Sequence, residues 1–138
     1  MRTVLLFACL LFIMGCSKQH PEDQIKPLQG YWEIDEVTAS GKKKEYGINQ
    51  VIDYIHINED LTGFRKKLVP KLDGSFEINN HQIPFTLKIE NDSLHIYYNT
   101  AFDQWKESVI HVDSTSLHIQ NTNGYLYTYK RHQKFDFK

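Results

Sequence analysis

The residues of this chain that could do chemistry are seven histidines, two cysteines and scattered carboxylates. A metal site needs three or four side chains that converge on one point. The central histidines lie on different predicted elements, so their spacing brings no ligand set together; they are His56, His81, His95, His111 and His118. Asp92 and Glu107 show no sign of being a catalytic pair, and nucleophile-elbow, zinc-protease and phosphate-loop motifs are missing. The sequence therefore predicts no metal, no cofactor and no enzymatic activity.

Cys16 is different, because it follows a short and wholly apolar segment. Residues 4–14 carry no polar side chain, Arg2 places a positive charge before them, and Gly15 stands directly before the cysteine. A membrane-spanning helix needs about 20 apolar residues, so this segment is too short to span. A charged start, a short apolar core and a small residue at the cut indicate a secretory signal. The alternative, a buried helix of the mature fold, is disfavoured because the segment has no polar face.

The Ile-Met-Gly-Cys of residues 13–16 resembles the cleavage motif of bacterial lipoproteins, in which a small residue precedes an acylated cysteine. The resemblance implies that residues 1–15 are removed and that Cys16 carries a diacylglyceryl thioether and an acylated amino end. Two or more acyl chains hold a protein stably on a membrane, so membrane lipid is the expected partner. Cys9 lies in the removed segment, which leaves no disulfide in the mature chain.

The expected location is the bacterial cell envelope, with the face of the membrane left open. Ser17 follows the cysteine where inner-membrane lipoproteins of enteric bacteria carry aspartate, which favours the outer membrane. Residues 17–23 are polar, and residues 16–28 contain Pro21 and Pro27. This composition predicts a short, mobile tether between the lipid and the folded domain.

Residues 29–132 are predicted to form one all-β domain, followed by a tail over residues 133–138. Apolar and polar residues alternate from Trp32 onward, and turn residues such as Asn123-Gly124 separate the short strands. Eight or nine such strands indicate an antiparallel, up-and-down meander, and closing it into a barrel removes its edges. An eight-stranded barrel is just wide enough to fill itself or to hold one small ligand.

Gly30-Tyr31-Trp32 resembles the Gly-x-Trp motif that opens the first strand of lipocalins, and Arg131 is similar to the arginine of their closing strand. The resemblance covers residues 29–132 and is nearest to the lipocalin-like lipoproteins of Bacteroidetes. It implies that Trp32 plugs one barrel end and that Arg131 stacks on its indole, a contact worth about 0.5–2 kcal/mol. One departure is that no helix pattern follows Arg131. The alternative is that Trp32 is an ordinary core aromatic.

The net charge and the aromatic content of the chain exclude some functions and favour others. The formal net charge is −1 and no basic face is evident, which argues against nucleic acid. Aromatic residues make up 13% of the chain, and such residues suit either a core or a site for an amphipathic molecule. The first hypothesis is a non-enzymatic barrel that holds a small apolar or amphipathic ligand. Its candidate liners are Phe64, Phe85, Tyr98, Trp105 and Tyr127.

The second hypothesis belongs to a different class. A structural or accessory lipoprotein would dock an envelope protein through the outer face of its sheet and would have a filled interior. It also predicts an exposed apolar patch larger than about a few hundred Å².

Overall fold

The structure, a computed structural model, describes residues 17–47 and 51–133. The predicted signal segment and the predicted lipid-attachment residue, Cys16, lie outside the described residues, as do residues 134–138 of the predicted tail.

One helix and nine strands occupy the described residues. In chain order they are α1 (Pro21–Leu28), β1 (Gly30–Ala39), β2 (Lys42–Glu45), β3 (Ile52–Ile57), β4 (Thr62–Pro70), β5 (Phe76–Glu90), β6 (Ser93–Asn99), β7 (Gln104–Val112), β8 (Ser116–Asn121) and β9 (Leu126–Arg131). The helix α1 lacks the length and the apolar character that a membrane crossing needs.

The strands form a closed antiparallel barrel. Each strand from β3 to β9 pairs with its neighbour in sequence, and β1 pairs with both β3 and β9 to close a ring of eight. The remaining strand, β2, pairs with β1 outside this ring. The predicted antiparallel meander that closes into a barrel is therefore confirmed.

The two ends of β1 have different neighbours, and this difference opens one end of the barrel. Residues 30–32 pair with β3, whereas residues 36–39 pair with β2. A β-bulge between Ile34 and Glu36 interrupts the register with β9, and bulges bend the strand that carries them. As a result, β1 and β3 separate toward the end of the barrel that lies far from α1.

The helix α1 covers the other end, which we call the closed end. Pro21 occupies the start of the helix, where its missing N–H costs nothing, and acidic residues in the first turn favour the helix dipole. Leu28 and Gln24 are buried. The predicted mobile tether over residues 16–28 is thus wrong from Pro21 onward, because the prolines sit in the first and last turns of a helix whose apolar side packs on the barrel.

Residues before the helix are also attached to the barrel. The Gln19 amide donates to the carbonyl oxygen of Val112 at 2.8 Å and accepts from the Val112 N–H at 3.2 Å, in the manner of a short strand pairing. Lys18 donates to the carbonyl oxygen of Asp92 at 2.6 Å. Lys18 and Gln19 are therefore already attached to the folded barrel.

Arg131 connects the elements that meet at the closed end of the barrel. Its guanidinium lies 3.7 Å from the centroid of the Trp32 ring, so the stack that the lipocalin resemblance implies is present. The guanidinium donates hydrogen bonds to the carbonyl oxygens of Pro27 (2.7 Å), Gln29 (2.8 Å), Asp113 (3.1 Å) and Ser114 (3.2 Å). The Trp32 indole N–H donates to Leu28 at 2.9 Å. Gly30 has a φ of 133°, and a Cβ at this position would collide with the guanidinium. The helix, the first strand and the last strand are therefore held by one side chain.

We expect Arg131→Ala to lower the free energy of unfolding by about 2–4 kcal/mol, because four charge-assisted hydrogen bonds and a cation–π contact disappear together. Urea unfolding measures this change. The matched control is Lys130→Ala, whose exposed side chain makes ion pairs of 3.8 Å and should contribute less than about 1 kcal/mol. Equal losses for the two variants would contradict this role of Arg131.

Candidate ligand site at the open end of the barrel

The half of the barrel nearest α1 is filled by its own side chains. Inward positions on β3, β5, β6, β7 and β8 supply a buried apolar cluster of Ile55, Phe85, Leu87, Leu94, Ile96, Val109, Val112, Leu117 and Ile119. These residues alternate with polar ones along each strand, as the period-2 pattern predicts. A ligand cannot be held there without displacing the core, so the candidate site lies toward the open end.

Above this apolar cluster, the charged side chain of Arg65 points into the barrel. It is 13% exposed and reaches partners on four strands. Its guanidinium donates to Asp53 Oδ2 (2.9 Å, on β3), Tyr98 Oη (3.2 Å, on β6), Glu107 Oε2 (3.4 Å, on β7) and Tyr129 Oη (2.7 Å, on β9). We call these five residues the Arg65 network.

The charged groups of the Arg65 network are paired with one another and with Lys67. Tyr98 also donates to Glu107 Oε2 at 3.0 Å, and Lys67 donates to Asp53 Oδ1 at 2.7 Å. Among the described residues, every buried side-chain nitrogen and oxygen has a hydrogen-bond partner. A buried charge is tolerated only when it is paired in this way, so the network forms a rigid polar floor across the barrel.

The pKa directions agree with this geometry. Burial alone would raise the pKa of Asp53, but the charges of Arg65 and Lys67 outweigh it and hold that pKa below its usual value. Burial alone would lower the pKa of Arg65, but Tyr98, Tyr129 and the two carboxylates raise it above its ordinary value. Burial raises the pKa of Tyr98. At neutral pH the network therefore contains the Arg65 guanidinium, the Asp53 carboxylate and two neutral phenols.

Between this floor and solvent lies a cleft of about 450 Å³. Its walls come from the β1 side, from the chain around β3 and β4, and from β9. The lining residues are Ile34, Val37, Tyr46, Val51, Asp53, Lys67, Tyr127 and Tyr129. We call this space the mouth cleft. It exists because β1 turns toward β2 instead of continuing beside β3, and its apolar walls stand over a few polar groups, as small-molecule sites usually do.

The sequence profile of the lipocalin-like domain matches residues 28–119, which run from the end of α1 into β8. The chain belongs to the lipocalin-like family. No curated protein and no solved structure matches the chain. β9, which carries Arg131 and closes the ring, lies beyond the matched residues. A lipocalin-like barrel is a fold suited to binding small ligands.

The five predicted liners are not all brought together in this lipocalin-like barrel. Phe85 is 4% exposed and belongs to the apolar cluster. Tyr98 is part of the Arg65 network, and Trp105 stacks on its ring at 4.8 Å between centroids. Tyr127 lines the mouth cleft.

The inward direction predicted for Phe64 is wrong. The Phe64 ring stacks on His56 at 5.1 Å and meets Tyr54 edge-on at 6.0 Å, on the outer face of the sheet. Its neighbours Gly63 and Arg65 are the residues that face inward. The inward side of β4 at Gly63 lies directly against the Phe85 ring, where a Cβ would collide with that ring. Because side chains alternate along β4, Phe64 points outward.

The sequence did not assign the charged residues of the site, which are Asp53, Arg65, Lys67 and Glu107, to a ligand site. A signal was present for Asp53, which shares the apolar face of its strand with Ile55 and Ile57. Arg65 carries no such signal, because it stands in a run of three basic residues with Lys66 and Lys67, and such a run is typical of a solvated surface.

The histidines form contacts without assembling into a site. His111 lies 2.9 Å from an Asp113 carboxylate oxygen, and its ring is 5.6 Å from that of His118. Within residues 17–47 and 51–133, no group of three or more His, Cys, Asp or Glu side chains is placed to hold a metal ion.

Asp53→Asn should destabilise the protein by about 3 kcal/mol at neutral pH, because Arg65 and Lys67 lose their shared counter-charge. The folded-state pKa of Asp53 lies below the unfolded value, so its contribution is present above the unfolded pKa and disappears as the pH falls through the folded pKa. Urea unfolding between about pH 7 and pH 2 should therefore show a smaller acid-dependent loss in the variant than in the parent.

The matched control is Asp113→Asn. Like that of Asp53, the pKa of the Asp113 carboxyl is held below its usual value, first by His111 and then by turn N–H groups. Unlike Asp53, Asp113 is remote from Arg65, so this variant removes a carboxylate of lowered pKa without disturbing the Arg65 network. An Asp53→Asn curve that kept the full acid dependence of the parent would contradict the assigned pairing.

Proposed function

We propose that this protein is a lipid-anchored binding protein of the bacterial envelope that holds a small apolar or amphipathic molecule in the mouth cleft. The observation that carries the proposal is the cleft itself, which combines apolar and tyrosine walls with a polar floor. Its volume of about 450 Å³ lies within the range of about 300–1,000 Å³ typical of ligand sites. The lipocalin-like fold supports the ligand-binding part of this proposal.

The ligand is proposed to sit near the surface of the barrel and not deep inside it. The apolar cluster occupies the lower interior, and the Arg65 network separates it from the cleft. A molecule bound above the network keeps one side near solvent, which suits an amphipathic ligand better than a wholly apolar one.

The proposed function is binding without catalysis. Asp53 accepts hydrogen bonds on both carboxylate oxygens, and Glu107 is engaged by Arg65 and Tyr98. A general base must be able to reach a proton on a substrate, and these carboxylates are already committed to neighbouring side chains.

The proposed anchor is an acylated Cys16, and the proposed location is the envelope, with the outer membrane favoured. The support is the lipoprotein-like sequence of residues 1–16. The attachment of Lys18 and Gln19 to the barrel is consistent with a cleavage site shortly before these residues.

A test of the cleft fills it with a bulky side chain. Val37→Trp should weaken binding of the neutral fluorescent probe N-phenyl-1-naphthylamine by about tenfold or more, because the indole occupies the space of the ligand. Titration of the probe, followed by its fluorescence, measures the change.

The matched control is Thr38→Trp, one residue along β1 and directed to the other face. It should bind the probe as the parent does, and urea unfolding should show both variants folded. Unchanged binding by Val37→Trp, or no binding by the parent, would refute the mouth cleft as a ligand site.

A second test concerns the anchor. Cys16→Ser should release the full-length protein from salt-washed membranes of an expressing bacterium, because the residue can no longer take a thioether. The released Cys16→Ser protein should unfold at the same urea concentration as the parent protein, because the substitution lies outside the barrel. A Cys16→Ser protein that stayed with the membranes would argue against lipid anchoring.

A second candidate function has its own supporting observation. Aromatic rings line the outer face of the sheet, where Tyr31 stacks on Tyr54 at 4.6 Å and on Phe76 at 5.2 Å. A structural or accessory lipoprotein could present this strip to an envelope protein. In that case Tyr54→Ala would abolish a reproducible crosslinked product in envelope membranes, and probe binding at the mouth cleft would be absent from the parent protein.

A further inference from the structure

We propose that the ligand of the mouth cleft is an anionic amphiphile, whose carboxylate or phosphate head group binds Lys67 while its apolar body lies against the walls of the cleft. This inference rests on the proposed function, because it concerns the same site. It goes further by assigning a charge and an orientation to the ligand.

The first argument is that Lys67 is available to a ligand. Its side chain is 64% exposed, lines the cleft and makes one ion pair, to Asp53 Oδ1 at 2.7 Å. Asp53 is held independently by Arg65 at 2.9 Å on its other oxygen. Lys67 can therefore turn toward a ligand without leaving the buried carboxylate unpaired, and the cost of burying an unpaired charge does not arise.

The second argument is that the floor offers hydrogen-bond donors and few acceptors. The Tyr129 hydroxyl accepts from Arg65 at 2.7 Å, and within the described residues no acceptor takes its proton. Burial raises the pKa of Tyr129, so the hydroxyl remains a donor at neutral pH. Both oxygens of Asp53 are already occupied. A ligand group placed beside Lys67 and Tyr129 must therefore be an acceptor, and an anion fits best.

The third argument is that a second lysine, Lys44, lies beside residues that line the cleft. Lys44 on β2 pairs in register with Val37 on β1, so both side chains lie on the face that continues the cleft wall. The Lys44 ammonium lies 5.0 Å from the centroid of the Tyr46 ring, and Tyr46 lines the cleft. Lys44 would thus add positive charge beside the part of the cleft that Val37 and Tyr46 line.

The acidic residues near the cleft do not cancel the positive charge of Lys67 and Lys44. Glu36 and Glu45 pair with each other one position away from Val37 and Lys44, which puts them on the opposite face of the β1–β2 pair. Glu36 is also neutralised by Lys43 at 3.4 Å. Glu107 and Asp53 face inward, but Arg65 pairs with both of them.

The experiment compares three amphiphiles with the same ten-carbon chain as competitors of bound N-phenyl-1-naphthylamine. Decanoate and decyl phosphate carry the two candidate head groups, and decanol carries none. Decanoate or decyl phosphate should compete at a concentration about tenfold lower than decanol. The better of the two anions identifies the head group, and its advantage should shrink as salt is added.

Two neighbouring lysines provide the matched variants. Lys67→Gln should weaken the preferred anion about tenfold and should weaken decanol by a much smaller factor. Lys66→Gln removes the same charge from the next residue, whose ammonium lies over the outward rings of Tyr54 and Phe64, and should leave all three unchanged. Lys44→Gln, which disturbs no buried pair, should weaken the anion by a smaller factor of about three.

Equal competition by decanol and both anions, or equal effects of Lys66→Gln and Lys67→Gln, would overturn the anionic inference while leaving the mouth cleft as a binding site. Failure of the parent protein to bind the probe would instead overturn the proposed function. The two failures are thus distinguishable within one titration.

Discussion

The Arg65 guanidinium is the buried charge around which the interior of the barrel is arranged. Its four hydrogen-bond partners come from β3, β6, β7 and β9, so half of the strands in the ring each supply one partner. A shift of one residue in any of these strands would turn the partner outward and leave part of the charge unpaired inside the protein. The strand register and the polar network therefore depend on each other. The same network separates a packed apolar half from an open half, which is why the ligand cleft lies where it does.

A second arginine performs a different task at the opposite end. Arg131 donates to backbone carbonyl oxygens and covers an indole, and it makes no ion pair among the described residues. Its partners belong to the helix, the first strand and the turn before β8, which are far apart in sequence and adjacent in space. One guanidinium thus fixes strand register from within, and the other closes the end of the barrel. An arginine can serve both needs because it presents five donors in a planar fork that remains charged.

The fold could be predicted from the sequence because a half-buried strand leaves a period-2 pattern that local reading detects. Trp32 and Arg131 were recognisable for a related reason, since each occupies a fixed position at the start or end of the meander. The helix α1 escaped prediction because eight residues are too few to show a helical period, and its stability comes from packing on strands far away in sequence. Phe64 was misplaced because alternation defines two faces without saying which is inside. That choice was made by Gly63 and Phe85, which meet only in the folded chain. The Arg65 network was missed for the converse reason, because a buried arginine is recognised only when its counter-charges from other strands are in place.

The attachment of Lys18 and Gln19 to the closed end has a consequence for how the molecule would stand on a bilayer. If Cys16 carries the proposed acyl chains, only Ser17 separates the lipid from residues fixed to the barrel, and the domain has almost no freedom to tumble. Its capped base would rest against the head groups, and its opening would point away from the leaflet that holds it. Cargo would then be exchanged with the surrounding aqueous compartment or with a facing partner, and not drawn sideways from the membrane beneath.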